Sequence, residues 1–162
     1  MSTPDIPVTT AIRALRAAQV PFVPHFYAYQ EHGGTGVAAG ALGVDEHAVI
    51  KTLVMQTETR MPLIILMHGD REVSTKQLAR ALGVKNVDPC DPVVVTRHTG
   101  YQVGGVSPFG TRGKLPVYVE EGIMFLPRIF LNGGKRGFLV EVVPDVLARL
   151  LGAIPVSVAI PP

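Results

Sequence analysis

The chain has 162 residues, of which 47% are hydrophobic and 17% charged, with a net charge of +2. That balance fits one domain with a well-buried core and excludes a disordered chain; no run is long enough to span a bilayer, and Met1-Ser2-Thr3-Pro4-Asp5 lacks the charged and apolar regions of a signal peptide. The single cysteine, Cys90, excludes an internal disulfide, and no Cys/His spacing reads as a zinc site, so a cytoplasmic protein without metal or cofactor is expected.

In chain order, Thr10 reads as the N-cap of a helix over 11–18, whose apolar spacing suits one buried face. Phe22 to Tyr29 reads as extended. A glycine-rich turn, His32-Gly33-Gly34-Thr35-Gly36, leads into a short helix ending at Gly43. Ile50–Thr57 and Leu63–His68 read as strands joined by a turn around 58–60. Ser74 and Gln77 make a capping box for a helix closing at Gly83. A short helix follows Asp91-Pro92 and stops near Gly100. Strands are expected near 117–119, 128–131 and 138–142, then a helix after Pro144 and a last strand over 154–158. The repeated Ala-Leu-Gly-Val at 41–44 and 81–84 reads as two helices stopped by the same glycine chemistry rather than as a duplication. Strands and helices mix without regular alternation, which predicts an α/β domain, 1–162, with a mixed, partly closed, barrel-like sheet flanked by helices.

The segment Thr99 to Gly110 concentrates four glycines and Pro108. Glycine is tolerated where the backbone takes positive φ or lets another group approach closely, and proline shapes the loop. Such a loop is either a long connection or a cradle of amides for an anion. Lys51 shares a strand face with Val49, Leu53 and Met55; its stem either snorkels to the surface or lines a pocket and meets an anion. Thr52, on the other face, reads as structural. Asn132-Gly133-Gly134-Lys135-Arg136-Gly137 is a hairpin turn with two cations at its tip, compatible with a phosphate contact. Between 93 and 140 six cations face only Glu120 and Glu121, a local net charge of +4, which suits a phosphate-bearing partner.

Other patterns carry less. Gly34-x-Gly36-x-x-Ala39 imitates a dinucleotide fingerprint, but the following helix is too short and no acidic residue stands at the required distance. Ser107 precedes Pro108 and lacks a nucleophile elbow. His25, His47, His68 and His98 read as caps, turn or half-buried residues. Cys90, near a helix start, is placed where a thiol pKa can fall, but a lone cysteine of this kind is more often inert.

Val49-Ile50-Lys51-Thr52-Leu53, Leu78 to Lys85, Thr99 to Gly110 and Asn132 to Gly137 stand in the order of the YbaK/EbsC family, which they resemble over nearly the whole chain. That family comprises free-standing relatives of the editing domain inserted in bacterial prolyl-tRNA synthetases. The resemblance implies a trans-acting aminoacyl-tRNA deacylase that clears mischarged tRNA, typically cysteinyl-tRNA(Pro), with prolyl-tRNA synthetase as a docking partner. It places the essential strand lysine on Lys51 and the Gly-x-x-x-Pro element on Gly104, Gly105, Val106, Ser107 and Pro108. As substrate-binding positions it gathers Tyr27, Thr52, Tyr101, Asn132, Gly133, Gly134, Lys135 and Arg136. The sequence departs from the family around Gly34, where a phenylalanine is frequent, at Asn132, where serine is common, and at Leu139, which replaces a polar residue of some members. The reaction class therefore carries over better than the amino acid. Deacylation of alanyl- or seryl-tRNA, hydrolysis of small nucleotide-linked esters, and a non-catalytic tRNA- or nucleotide-binding module are the alternatives.

Overall fold

The central element is an apolar strand buried on both faces. In the computed structural model, which describes residues 5–161, Leu63 to His68 are all buried, as a strand must be when it has neighbours on both edges and layers on both faces. Met1-Ser2-Thr3-Pro4 lies outside the described residues.

The elements are α1 (Thr10–Ala17), β1 (Val23–Phe26), α2 (Gly34–Leu42), β2 (Ile50–Thr57), β3 (Pro62–His68), β4 (Glu72–Val73), α3 (Thr75–Leu82) and β5 (Val87–Pro89). They continue with α4 (Pro92–Thr99), β6 (Val117–Glu120), β7 (Ile129–Lys135), β8 (Phe138–Val142), α5 (Asp145–Leu151), β9 (Ile154–Val156) and β10 (Ala159–Ile160). Short 3-10 turns occupy Glu46–Ala48 and Glu121–Phe125. A five-stranded sheet runs β5-β2-β3-β6-β9, with antiparallel pairs around β2 and parallel pairs around β6. A three-stranded antiparallel sheet runs β1-β8-β7, and β10 pairs with β4. One parallel bridge, Val49 to Phe130, joins the two larger sheets.

The mixed α/β architecture agrees with the sequence reading, but the strands form separate sheets and do not close into a barrel. One face of the large sheet, with Ile50, Val54, Ile64, Leu66, Val117 and Val119, packs toward α1 and the three-stranded sheet. The other, with Met55, Leu63, Ile65 and Met67, packs against Leu78 and Ala79 of α3. Among the described residues no helix is long and apolar enough to cross a membrane.

Several boundaries differ from the expected ones for visible reasons. Thr9, not Thr10, caps α1: its Oγ1 accepts from Ile12 N at 3.1 Å, while Thr10 Oγ1 donates to Tyr101 Oη at 2.8 Å. β1 is shorter than 22–29 because its partner β8 starts at Phe138; only Gly137 O remains to accept from Tyr27 N. Gly34 and Gly36 fall inside the first turn of α2 rather than in a turn before it. The last strand splits at Ser157. There the buried Glu120 carboxylate accepts from Val158 N and Ala159 N, at 2.7 and 3.1 Å, and passes the chain from β6 to β4. β4 and β5 were not anticipated.

Gly110 has φ +64°, and a Cβ there would meet the Thr10 backbone and stand 2.9 Å from Ala11 N. The left-handed conformation alone costs a non-glycine residue about 1–2 kcal/mol. Gly110→Ala is therefore expected to lower the unfolding free energy by about 2 kcal/mol or more in urea titration; a loss below about half a kcal/mol would show that the loop and α1 can separate freely.

Candidate active site

β2 is longer than either neighbour on its outer edge. At one end Val49 bridges to β7; at the other, Met55–Thr57 pair with β5 and Val54 O accepts from Cys90 N at 3.1 Å. Strand geometry sends the backbone groups of alternate residues to alternate edges, and the Val54–Cys90 bond marks the even-numbered residues as those pointing away from β3. Thr52 N–H and C=O thus face a stretch of edge with no strand beside it among the described residues. A cavity of about 540 Å³ occupies that gap.

Its walls bring together segments far apart in sequence. β2 supplies Ile50 to Met55, the glycine loop Val103, Gly104 and Val106, and the β7–β8 hairpin Asn132 and Leu139. Cys90 and Val95 close one end, and Glu72, Val73 and Thr75 the mouth beside Lys51. Gly34, Asn132 and Leu139, the three places where the sequence departs from the family it resembles, all line this cavity.

The structure joins both readings of Lys51. Its stem follows the cavity wall, and its ammonium donates to Arg71 O at 2.7 Å and Glu72 Oε1 at 3.0 Å. The Lys51 side chain is 19% exposed but that of Glu72 is 77% exposed, so an incoming anion can compete for the ammonium from the solvent side. The turn that receives Lys51 is itself fastened. Asp70 pairs with His47 Nδ1 at 2.7 Å and with Arg71 at 3.0 Å, and the His47 and His68 rings stack at 3.6 Å. Burial opposes ionisation of Asp70, yet the hydrogen bond from His47 and the charges of His47 and Arg71 hold its pKa below the ordinary value.

The glycine loop is shaped from inside. Tyr101 is buried, and its hydroxyl donates to Phe109 O at 2.5 Å while accepting from Thr10 Oγ1. Burial is also the main reason its pKa stands above the ordinary value. Ser107 and Pro108 are buried too, and Ser107 Oγ accepts from Phe109 N at 3.2 Å. Gly105 N–H is committed to Gln102 O at 2.8 Å, and Pro108 has no N–H. The amides of Gly104, Val106 and Ser107 donate to no acceptor among the described residues, and the first two line the cavity.

The hairpin locks this loop in place. Asn132 Oδ1 accepts from Gly134 N and Lys135 N at 2.7 and 3.0 Å, and its Nδ2 donates to Gly104 O at 3.1 Å. Arg136 Nε donates to Val103 O at 3.0 Å, and the guanidinium lies 5.1 Å from the Tyr29 ring centre. A Cβ on Gly104, φ +91°, would stand 2.6 Å from Tyr29 Oη, so glycine is required there for close approach. Gly133 packs its backbone onto the Phe138 ring, and Gly134 lies against Tyr101.

Among the sequence-predicted positions, then, Lys51, Thr52, Gly104, Val106 and Asn132 line the cavity. Gly105, Tyr101, Gly134, Lys135 and Arg136 surround a second hollow behind the loop. Tyr27 lines neither; it packs beside Phe130 and Leu139, and burial is the main cause of its raised pKa. Tyr29 and Val95 are neighbours of the site that residue-level reasoning does not select, whereas Leu139 is singled out there as a departure beside the amino-acid pocket. Thr52 lies in the cavity wall. Its Oγ1 is buried without a hydrogen-bond partner, an arrangement that costs about 1–3 kcal/mol unless something occupies it.

Cys90 fits the inert reading: burial, then the Asp91 carboxylate, push the thiol pKa up, and Arg97 only partly opposes them. Below the raised pKa the thiol keeps its proton and is a poor nucleophile.

The gap in the sheet edge brings free amides, a lysine and a lone hydroxyl together among apolar walls, a combination that can hold an anion-bearing ligand. The aminoacyl-tRNA editing domain model matches residues 34–150, and the chain belongs to that family. Editing is hydrolysis of the ester between an amino acid and tRNA, which places the protein among hydrolases. It is 31% identical over 143 residues to EbsC of Enterococcus faecalis, a protein provisionally named a Cys-tRNA(Pro)/Cys-tRNA(Cys) deacylase, covering 88% of this chain and 87% of that one. A proline–tRNA ligase of Moorella thermoacetica shares 33% identity over 104 residues, 64% of this chain but 18% of the ligase. A crystal structure provisionally described as a trans-editing enzyme for prolyl tRNA synthetase superposes with TM-score 0.81 at 25% identity, over 94% of this chain and 98% of that one.

Two outcomes follow from the site alone. Thr52→Val removes an unpartnered buried hydroxyl at almost constant shape, so the ligand-free protein is expected to gain about 1 kcal/mol in urea unfolding; a loss of that size would mean that the hydroxyl is satisfied. Iodoacetamide should alkylate Cys90 at a rate that climbs only above pH 9, the ordinary thiol value here; a rate already at its plateau at neutral pH would show a thiolate instead.

Proposed function

We propose that the protein is a trans-acting deacylase of mischarged tRNA, acting in the cytoplasm, with cysteinyl-tRNA(Pro) as its preferred substrate. The observation that carries the reading is one cavity that holds the Lys51 ammonium and the free amides of Gly104 and Val106 together. An aminoacyl ester is already activated, so positioning and stabilisation of the developing oxyanion suffice without a strong protein nucleophile.

In this reading the Gly104 and Val106 amides receive the oxyanion, and Gly105, Ser107 and Pro108 set their direction. Lys51 exchanges its contact with the exposed Glu72 carboxylate for the terminal phosphate of the tRNA. Thr52 Oγ1 meets a polar group of the aminoacyl moiety or the terminal ribose. Asn132, Gly133 and Gly134 hold the loop, Lys135 and Arg136 meet the nucleotide backbone, and Tyr101 and Tyr27 support the site from behind. With a cysteinyl ester, the substrate thiol attacks its own carbonyl. A C–S bond forms, the C–O bond to the ribose breaks, the thiol proton passes to the ribose oxygen, and water later opens the cyclic thioester. The protonated Cys90 takes no part. The similarity to the Enterococcus protein and to prolyl-tRNA synthetase editing domains supports both the substrate and the synthetase as docking partner.

The apolar walls, Ile50, Val54, Val95 and Leu139, favour a small, weakly polar side chain such as that of cysteine over serine, because a buried hydroxyl without a fixed partner is disfavoured. Purified protein incubated with cysteinyl-, alanyl- and seryl-tRNA(Pro) should deacylate the first with the largest kcat/KM. Lys51→Ala should reduce that rate by about 100-fold or more while the circular dichroism spectrum and melting curve stay the same. Cleavage of no ester above the uncatalysed rate would sink the proposal; full activity in folded Lys51→Ala would remove Lys51 from it.

A further inference from the structure

Behind the glycine loop the surface carries four cations that the ester chemistry does not require as a group. Arg136 and Lys135 border the second hollow together with Gln102, Gly105 and Gly134. Arg97 and Arg112 border a third, shallower one beside Thr96. The three hollows follow one another. Gly104 lies in the wall of the cavity and Gly105 in that of the second hollow, and a Cβ on Gly105 would stand 2.9 Å from Arg136 N. Gly100, also in the second hollow, lies under Arg112, whose Nε would be 3.7 Å from a Cβ there.

Arg112 is placed, not trailing. Its own N–H donates to Thr99 O, and Gly113 N–H to His98 O, each at 3.0 Å, so the segment after Gly110 is stitched back onto the end of α4 that carries Arg97. No aspartate or glutamate lines either hollow, and none of the four cations joins an ion pair among the described residues. Most cations of the described residues share that lack, since only Lys51, Arg71, Arg128 and Arg149 have a carboxylate partner; what sets these four apart is their alignment along adjoining hollows with no acidic lining.

We propose that the trough from Gly105 over Arg136, Lys135, Arg112 and Arg97 is a track for the sugar–phosphate backbone of the RNA whose aminoacylated end enters the cavity. This rests on the deacylase reading for the identity of the polyanion. Charge without neutralising carboxylates favours a polyanion. The second hollow, floored by glycines and edged by Gln102, offers close approach to a backbone rather than the apolar centre that a protein partner would need. Arg136 is held by Val103 O and the Tyr29 ring, so it is preorganised to receive phosphate; Arg97 and Arg112 extend the contact away from the ester and confer no base specificity.

The test is binding of uncharged tRNA by fluorescence anisotropy across a KCl series, with wild type and Arg97→Ala/Arg112→Ala, alongside wild-type cleavage of a cysteinyl-adenosine ester. Each lost phosphate contact makes the slope of log K against log salt shallower by about one, so the double variant should lose about two. The single Arg97→Gln and Arg112→Gln variants should each lose about one, which keeps the test open if the double variant melts early. An unchanged slope overturns the track, as does wild-type protein that fails to bind tRNA. So does a variant that binds tRNA normally but loses an acidic protein partner, which would make the trough a protein-docking face. If the short ester is cleaved while the slopes stay the same, the track fails and the deacylase stands. If the slopes change and no ester is cleaved, the deacylase reading fails and a nucleic-acid surface remains.

Discussion

The site exists because β2 has two different neighbours on one edge and a gap between them. A strand of eight residues that paired along its whole length would leave no opening; here β5 takes the last three residues and β7 touches only the start. Unpaired backbone at a sheet edge is normally a liability. In this molecule the exposed stretch around Thr52 is roofed by the glycine loop and the β7–β8 hairpin, so it becomes the floor of a cavity. Splitting the strands into two larger sheets is therefore what makes a binding site possible: closure into a barrel would have paired that edge.

Once the gap is fixed, the loop that roofs it must be rigid without filling it. Side chains would fill it, which is why the approach is made by backbone. Tyr101 ties the loop to Thr10 and Phe109, Asn132 ties it to the hairpin, and Gly104 and Gly105 let Tyr29 and the 135–136 backbone come close. The same tethers decide which amides stay free. Gly105 closes a turn and is excluded; Gly104 and Val106 are not. A loop with so many glycines would be mobile on its own, and here the neighbours, not the loop's composition, hold its amides in one direction.

Much of this was legible in the sequence because it is local chemistry. Ser74, Gly43, Gly83 and Gly100 end or begin helices as capping rules require, and β2, β3 and β8 follow from their apolar runs. The motifs around Lys51, Gly104 and Asn132 lie on segments that the fold brings to one cavity. Two short strands were not legible: Val87-Asp88-Pro89 has no strand pattern of its own and is extended only because Met55–Thr57 offer it a partner. The same holds for Glu72–Val73, paired by the chain end. Thr52 looked structural because strand alternation puts it on the face opposite Lys51; only tertiary contacts reveal that nothing satisfies its hydroxyl. Cys90 shows why position along a helix does not settle a thiol pKa. A helix start lowers a thiol pKa when solvent and cations surround it, but burial beside Asp91 acts the other way.

The distribution of charge completes the argument about what the cavity can do. Lys51 is the cation at the mouth, and it is restrained by a backbone carbonyl and a mostly exposed carboxylate rather than by a buried partner. A buried ion pair would resist exchange, because breaking it strands a charge in a poor solvent. An exposed pair contributes little and is easily traded for a phosphate. The turn presenting it is fixed by Asp70, Arg71 and the stacked histidines, so the ammonium keeps its position while its counter-ion changes. Gly34, Asn132 and Leu139, where this sequence departs from the family pattern, line the same cavity as the unpartnered Thr52 hydroxyl, so the departures gather around one hollow rather than being scattered over the surface.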